Sequence, residues 1–527
     1  MQGNKEIFRR LSSFEQHKIM GPLNLFLFVS TSCPLKCSFC ARSVFLDLKR
    51  GKESDIDRFT AISLFGLDPK LFSSIRAKIV LGIETLEDEI AAKKVTMIAS
   101  DKIDRIINGS GPLDYSKYEG LAGIIEELPQ EVRISLYAYS IHRIREKLTR
   151  DMQKRMPLED YLRVVREAAE LGVKQIYLTG AIGEPLSDRD FLWEIMREIG
   201  KHDIVGHLTT NGYYADADFA KELVEMEWRS LIISIDGARP KTHDRLRGKD
   251  GSFERAFSFL KQLTKAKRIA KKVFPRITIS FVVNRLNYFE IVDHFELMAE
   301  SGADSVYYSP IRIYTDEARR TLVMQSEEEK KLRQLIEVGK PPWADSGVEN
   351  NIDSLPYWPK SYGYGPCVYP KIGIMEDIVR FTGWNGTPSN KKVDLNGIKC
   401  TEPWLSMAVD ANGSVMQCCV SSIPLINMNV TDHSLGEIWH SGKYHHLRDY
   451  FIEGKLPFEC QHHCLPPVME DQKKLIAGFR EMKKASEINT KGTIANTLER
   501  VDNEISRLTR INLKKKMNEI RNRLSEG

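Results

Sequence analysis

The sequence predicts an α/β protein: a parallel sheet with its helices outside, then a small β-hairpin and helix unit, then a helical tail. Three observations lead there. Short apolar runs alternate with helical patterns through the middle of the chain, the order expected of a parallel sheet joined by crossover helices. Polar, Gly-rich turns lie just past the C-terminal ends of those runs, where α/β folds bind ligands. The nine cysteines fall into groups near the two ends of the chain, with 326 cysteine-free residues between Cys40 and Cys367.

The first apolar run, residues 23–30, follows Lys5, Arg9, Arg10 and Lys18 and precedes Cys33, in the outline of a lipoprotein signal. The run is short for that purpose, and Ser30 stands where a lipobox wants an aliphatic residue, so a buried strand is expected. Leu158, Leu162, Val165 and Ala169 mark a helix by their four-three spacing. A strand at 173–179 leads into Gly180-Ala-Ile-Gly183-Glu184-Pro185 and a helix from about Asp188. Strands at 204–209 and 231–235 end in Thr210-Asn211-Gly212 and Asp236-Gly237, with Arg247-Gly248 beyond. Strands at 277–283 and 304–309 end at Asn284 and Pro310. Taken singly, Asn211-Gly212 and Asp236-Gly237 read as ordinary turns, and Glu184-Pro185 as a loop.

At 527 residues the chain exceeds one ordinary domain, and 42% hydrophobic with 28% charged residues supplies real cores. No apolar span reaches 18 residues, so a transmembrane helix is excluded and no membrane partner is expected. Residues 465–527 hold 14 Lys/Arg against 9 Asp/Glu, which accounts for the net charge of +5. That balance neither requires nor excludes nucleic acid. A cytoplasmic location is the default reading, and in a reducing compartment nine cysteines point to metal or redox chemistry.

The first group reads Cys33-Pro-Leu-Lys-Cys37-Ser-Phe39-Cys40, directly after a strand. A structural zinc needs four protein ligands, and no fourth Cys or His is near. Three thiolates suit a four-iron cluster that keeps one iron open. The C-x3-C-x2-C spacing, with the aromatic Phe39 before the last cysteine, resembles the radical S-adenosylmethionine (SAM) superfamily. The resemblance implies a partial (β/α)6 TIM-like barrel and a [4Fe-4S] cluster on Cys33, Cys37 and Cys40 whose open iron chelates SAM. It further implies SAM-binding roles for Phe39, Gly183, Glu184, Pro185, Thr210, Asn211, Ser234, Asp236 and Arg247. Glu184 would receive the methionine amino group, and Arg247 would lie near the SAM carboxylate.

The chain departs from that pattern in one respect: 143 residues separate Cys40 from Glu184, where relatives have far fewer. Residues 128–136 look like a second first strand, followed by Tyr139-Ser140-Ile141-His142 without cysteine. Either residues 44–150 are an insertion, which is favoured because Cys40-Ala41-Arg42-Ser43 continues as relatives' cluster loops do, or 132–138 takes the first sheet position. A loop of that length must carry structure of its own.

In the second group, Cys400 precedes Pro403-Trp404, an Asn412-Gly413 hairpin and Cys418-Cys419; Leu435-Gly436-Glu437-Ile438-Trp439 and Cys460-x3-Cys464 follow. This is similar to the SPASM and twitch extensions of radical SAM enzymes. The resemblance implies one auxiliary [4Fe-4S] cluster on Cys400, Cys418, Cys460 and Cys464, with Cys419 the alternative to Cys418. A zinc site including His462 or His463 is the competing reading. Cys367 is read as a packed thiol or as a hydrogen donor to a substrate radical. In the tail, Ile494, Leu498, Val501, Ile505 and Leu508 step by four and three, as in a helix that packs on its own domain or pairs with a second copy.

The resulting division is 1–43 and 151–315 for the core, 44–150 an insertion, 316–395 a linker, 396–466 the auxiliary domain and 467–527 the basic helical tail. The family mechanism implies reductive cleavage of SAM, hydrogen abstraction by a 5′-deoxyadenosyl radical, and an external electron donor such as flavodoxin or ferredoxin. Oxidation of a small molecule, a sugar or aminocyclitol-like alcohol, is the first expectation, with the auxiliary cluster accepting an electron. Modification of a ribosomal peptide or protein is the second; the 32 residues before Cys33 offer no leader-binding domain, though the insertion could substitute. A non-enzymatic metal-binding scaffold is the third, and the Glu184, Asn211 and Arg247 constellation argues against it.

Overall fold

The structure, a computed structural model, describes residues 2–15, 20–40, 154–180, 183–313, 316–337, 346–357, 362–363, 395, 398–419, 426, 428–457, 460 and 472–481. The expectations for 44–150, including a strand at 132–138, and for a helix at 490–526 lie outside the described residues, as do Cys367, Cys464, His462 and His463.

Helix α1 (Gln2–Glu15) and strand β1 (Asn24–Phe28) open the chain. There follow α2 (Leu158–Glu170), β2 (Gln175–Thr179), α3 (Arg189–Gly200), β3 (Val205–Thr210), α4 (Ala217–Glu225) and β4 (Ser230–Ser234). Next come α5 (Pro240–Arg247), α6 (Ser252–Ala270), β5 (Arg276–Val283), α7 (Ile291–Glu300) and β6 (Ser305–Pro310). The six strands lie side by side in chain order, all parallel. The place beside β2 is taken by Asn24–Phe28, with Leu25 opposite Ile176 and Leu27 opposite Leu178. The strand ahead of the cysteines therefore holds the first position of the sheet.

Beyond β6 are β7 (Arg312–Ile313), α8 (Asp316–Leu322), α9 (Ser326–Glu337), β8 (Glu349–Asn350) and β9 (Tyr362–Gly363). The C-terminal unit adds α10 (Glu402–Leu405), β10 (Ser406–Val409), β11 (Val415–Met416), α11 (Leu435–Trp439) and α12 (Gly442–Ile452). Strand β8 extends one edge of the sheet beside β6. At the other edge β10 joins β1 in parallel and turns through Asn412-Gly413 into antiparallel β11. The order β11-β10-β1-β2-β3-β4-β5-β6-β8 does not close on itself, so the barrel is partial.

One face of this sheet is core. Leu25, Leu27, Ile176, Leu178, Leu208, Leu231, Ile233, Ile277 and Ile279 are fully buried under the helices. Their alternate neighbours, such as Phe26, Tyr177, His207, Ile232 and Thr278, are only partly buried and line the concave side. A parallel sheet covered on both faces reads as unbroken apolar runs; this alternation is what an open barrel produces. On α2 the buried stripe is Tyr161, Val164, Val165 and Ala168, displaced by one residue from the expected apolar spacing. The displacement has a cause: the Tyr161 hydroxyl donates to the Phe28 carbonyl at 2.9 Å and lies 3.1 Å from that of Ala411, tying β1 to the C-terminal hairpin.

Candidate active site

The site is assembled at the C-terminal ends of β1 to β4. Leaving β1, the chain crosses to the end of α5 and docks there. Lys36 N–H donates to the Arg247 carbonyl at 2.9 Å and Ser38 N–H to that of Leu246 at 3.0 Å. The last carbonyls of a helix lack intrahelical partners, and here the cysteine loop supplies them. Gly248 ends α5 in the left-handed region at φ 63°, and a Cβ on it would stand 2.4 Å from the Lys36 carbonyl oxygen, so the loop's approach requires glycine. Cys37 is buried, and Cys33 and Cys40 are partly buried.

The turn after β2 meets the same loop. Glu184 N–H donates to the Ser32 carbonyl at 2.6 Å, and a Cβ on Gly183 would lie 2.2 Å from the Ser30 carbonyl oxygen. Glu184 is 2% exposed. Its Oε1 accepts from the Thr210 hydroxyl at 2.5 Å and from Leu186 N–H at 3.1 Å; Oε2 accepts from Asn211 N–H at 2.8 Å. Burial pushes this carboxyl up, and those three donors oppose the rise. A carboxylate offers about four lone-pair sites, and these three donors use three of them. Asn211 reaches onward: its Nδ2 lies 3.5 Å from Cys33 Sγ. One buried carboxylate thus fixes the ends of β2 and β3 against the cysteine loop.

A second buried acid anchors the other side. Asp236 is 0% exposed; its Oδ1 accepts Val282 N–H at 2.7 Å, and its Oδ2 pairs with Arg247 Nη2 at 2.5 Å. Arg247 Nη1 lies 3.8 Å from Cys37 Sγ, and its guanidinium carbon stands 5.4 Å from the Phe39 ring centroid. Burial raises both the Asp236 carboxyl and the Cys37 thiol, and Arg247 opposes each rise. Arg247 itself is held firmly protonated, chiefly by Asp236 against the cost of burial. Its Nε is buried with no hydrogen-bond partner. Ser234, at the end of β4, is partly buried beside these groups, and Pro185 begins the 3-10 turn Pro185–Ser187.

The C-terminal cysteines stand at the far edge of the sheet. Cys400 precedes Thr401, whose N–H and hydroxyl both donate to Gln472 Oε1 at 2.6 Å, while Gln472 Nε2 donates to Glu402 at 2.9 Å. Cys418 is buried just past β11; Cys419, Cys400 and Cys460 are partly buried. Nearby tyrosines feel these thiols. Burial raises the Tyr177 hydroxyl to about 12, with the charges of Cys419 and Glu402 adding to the rise. Among the described residues, no three Cys, His, Asp or Glu side chains converge as a single metal ion would require.

Several residues that shape the site gave no sequence signal of their own. Ser30 Oγ sits 2.9 Å from Ser187 Oγ, and Asn287 Nδ2 donates to the Asp236 carbonyl at 3.0 Å. His243 accepts Asp236 N–H at its Nδ1 at 3.0 Å. Only the two-turn length of α5 between Asp236-Gly237 and Arg247-Gly248 hints that His243 returns toward the strand end.

Known proteins share parts of this sequence. The radical SAM superfamily matches residues 137–298, and the SPASM iron-sulfur cluster-binding domain matches residues 400–465. The first match begins after the cysteine loop, which the fold brings back to it through β1. The chain carries a stretch that matches the radical SAM domain and, C-terminal to it, one that matches the SPASM domain. A radical SAM domain binds a [4Fe-4S] cluster and SAM, and a SPASM domain binds auxiliary iron-sulfur clusters. Over 139 residues the chain is 35% identical to the AdoMet-dependent heme synthase of Methanosarcina barkeri, covering 26% of this chain and 37% of that protein. It is 24% identical to the PqqA peptide cyclase of Rhizobium meliloti over 55% of this chain and 66% of that protein. The chain therefore spans about a third to two thirds of the length of these curated relatives. Among solved structures, SuiB of Streptococcus suis bound to S-adenosylmethionine superposes with a TM-score of 0.43 at 13% identity, over 82% of this chain and 67% of that one.

Proposed function

We propose that this chain is a radical SAM enzyme that modifies a peptide. The observation that carries the chemistry is the meeting of the cysteine loop, the Glu184 turn and the Asp236–Arg247 pair at one end of the sheet. In this reading Cys33, Cys37 and Cys40 hold the SAM-binding cluster, and Glu184 takes the methionine amino group. Thr210 and Asn211 hold that carboxylate, and the free Nε of Arg247 faces the methionine carboxylate. Gly183, Pro185, Ser234 and Phe39 shape the walls. With SAM and an electron from an external carrier, such a cluster supplies a 5′-deoxyadenosyl radical that removes hydrogen from an unactivated carbon. The chain's own part is to orient SAM at the strand ends and to keep water away from it.

The peptide reading rests on the relatives. The match to the PqqA peptide cyclase runs over 291 residues, more than twice the span shared with the heme synthase. The small-molecule expectation has less support. Cys400, Cys418, Cys460 and Cys464 are assigned to the auxiliary cluster, with 1–43 and 151–315 as the core and 396–466 as the auxiliary domain.

The test uses anaerobic, iron-loaded full-length protein, a reductant, SAM and a lysate from deuterium-grown cells split into peptide and small-molecule fractions. Deuterium in 5′-deoxyadenosine with the peptide fraction alone is the expected result. Transfer from the small-molecule fraction alone would restore the first expectation. SAM left intact under every condition would end the enzymatic reading.

A further inference from the structure

We propose that the Asp236–Arg247 pair serves the N-terminal cluster itself: Arg247 donates to the sulfur of Cys37 and raises the reduction potential of the cluster on Cys33, Cys37 and Cys40. Asp236 acts as the positioning residue that fixes the guanidinium there. The inference rests on the cluster assignment made above.

Arg247 uses its forked end within the protein. Nη2 is committed to Asp236 at 2.5 Å, and Nη1 is directed at Cys37 Sγ at 3.8 Å. A guanidinium placed only for a ligand carboxylate would present that fork to it, since paired N–H groups are what match a carboxylate. Here only Nε lacks a protein partner. The acid that holds the fork cannot swing away. Asp236 Oδ1 is bonded to Val282 N–H, its backbone N–H to His243 and its carbonyl to Asn287, so three separate segments pin it. Arg247 grips the cysteine loop twice, because its own carbonyl accepts Lys36 N–H at 2.9 Å while its side chain reaches Cys37.

The chemistry follows from placing a permanent cation and its N–H against a ligand sulfur. Both draw electron density from the thiolate, and a cluster whose sulfurs are hydrogen-bonded in this way accepts an electron more readily. Burial strengthens the effect, since both Arg247 and Cys37 are 8% exposed and little water screens them. An added electron costs less beside Arg247 than it would beside a neutral side chain.

The experiment is an EPR-monitored redox titration of the iron-loaded full-length chain without SAM. The N-terminal signal is identified in a parallel sample by its change when SAM is added. Arg247→Gln, with iron retained, is expected to make the one-electron reduction at least tenfold less favourable, a shift of about 59 mV to more negative potential. Arg247→Lys keeps the charge without the fork and is expected to shift less. An unchanged potential in Arg247→Gln, with only SAM binding weakened, overturns the proposal and assigns the residue to SAM. Where Arg247→Gln loses iron, the lysine variant decides by the same measurement; loss of iron from both overturns the proposal, because Arg247 then merely holds the loop. A wild-type chain with no SAM-responsive signal fails at an earlier step and counts against the cluster assignment instead.

Discussion

Cys37 stands on residues that the sheet core has already fixed, whereas Cys418 stands just past a two-residue strand at the outermost edge of the same sheet. Around the first group, two buried carboxylates tie the ends of β2, β3, β4 and β5 together before any ligand arrives. Around the second, the contacts come from a short hairpin, the four-residue α10 and the segment 472–481. The difference teaches which site can exist without its cluster. A centre that must leave one iron open gains from a frame that holds it from outside. One ligated on every side can help to fold its own surroundings.

The sharpest way to break this comparison is to remove the thiols group by group. Replacing Cys33, Cys37 and Cys40 with Ala is expected to abolish SAM cleavage, with loss of about four of roughly eight irons per chain, while leaving the thermal midpoint close to that of the iron-free wild type. Replacing Cys400, Cys418, Cys460 and Cys464 is expected to lower the midpoint of the loaded protein clearly and to reduce product far more than 5′-deoxyadenosine. Iron analysis, calorimetry and chromatography of both nucleoside and product supply the readouts. Normal product from a soluble variant of the second kind would make the auxiliary centre purely structural. One zinc in place of four irons there would favour the alternative metal reading.

A smaller effect is expected where the two regions are joined. The Tyr161 hydroxyl lies between the carbonyls of Phe28, at the start of the cysteine loop, and Ala411, in the hairpin before Cys418. Tyr161→Phe keeps the buried ring and removes the hydroxyl from both carbonyls, of which that of Ala411 keeps the Met156 N–H at 2.8 Å, at a cost of about 0.5–1.5 kcal/mol. Urea unfolding should show that loss. If the edge region is the weaker one, iron should leave the second group first as urea rises. Simultaneous loss from both groups would mean that the two unfold as one unit.

How much of this was legible in the sequence follows from the range over which each feature is determined. The six barrel strands and the Asn412-Gly413 hairpin are local patterns, and they lie within a residue or two of where alternation and turn chemistry put them. The cysteine spacing and the Gly183-Glu184-Pro185 turn are equally local. The contact of Arg247 with Cys37 spans 210 positions, and the sharing of Tyr161 between two carbonyls depends on how β10 seats beside β1. Nothing in either neighbourhood encodes those pairings. The one-residue displacement of the α2 stripe has the same origin, since a tyrosine ranks below leucine as a core residue until its hydroxyl finds a partner. The cofactor class was readable, but the substrate class was not, because substrate choice lies in surface shape that no short motif records.

The smallest predicted effect concerns the concave face between the two regions, where Phe26, Tyr177 and His207 stack across three adjacent strands. Ring centroids are 4.6 Å apart for the first pair and 4.2 Å for the second, with planes within 15°. His207 Nε2 is buried without a partner, and burial lowers the imidazole from its ordinary 6.5 to about 4. The folded chain therefore holds His207 neutral where the unfolded chain would already protonate it. Between roughly pH 6.5 and 4 the unfolded state binds more protons at this residue, so its contribution to stability is whole above that window and is lost as pH falls through it. His294 and His445, lowered to about 3 and about 4, act in the same direction, while the raised carboxyls of Glu184 and Asp236 act against it. The single variant isolates one term from that sum. His207→Gln has no imidazole to protonate, so its thermal midpoint should fall less steeply than the wild type's between pH 6.5 and 4. Parallel curves would show that the imidazole is already hydrated in the folded chain and that the stack is open to water along its whole length.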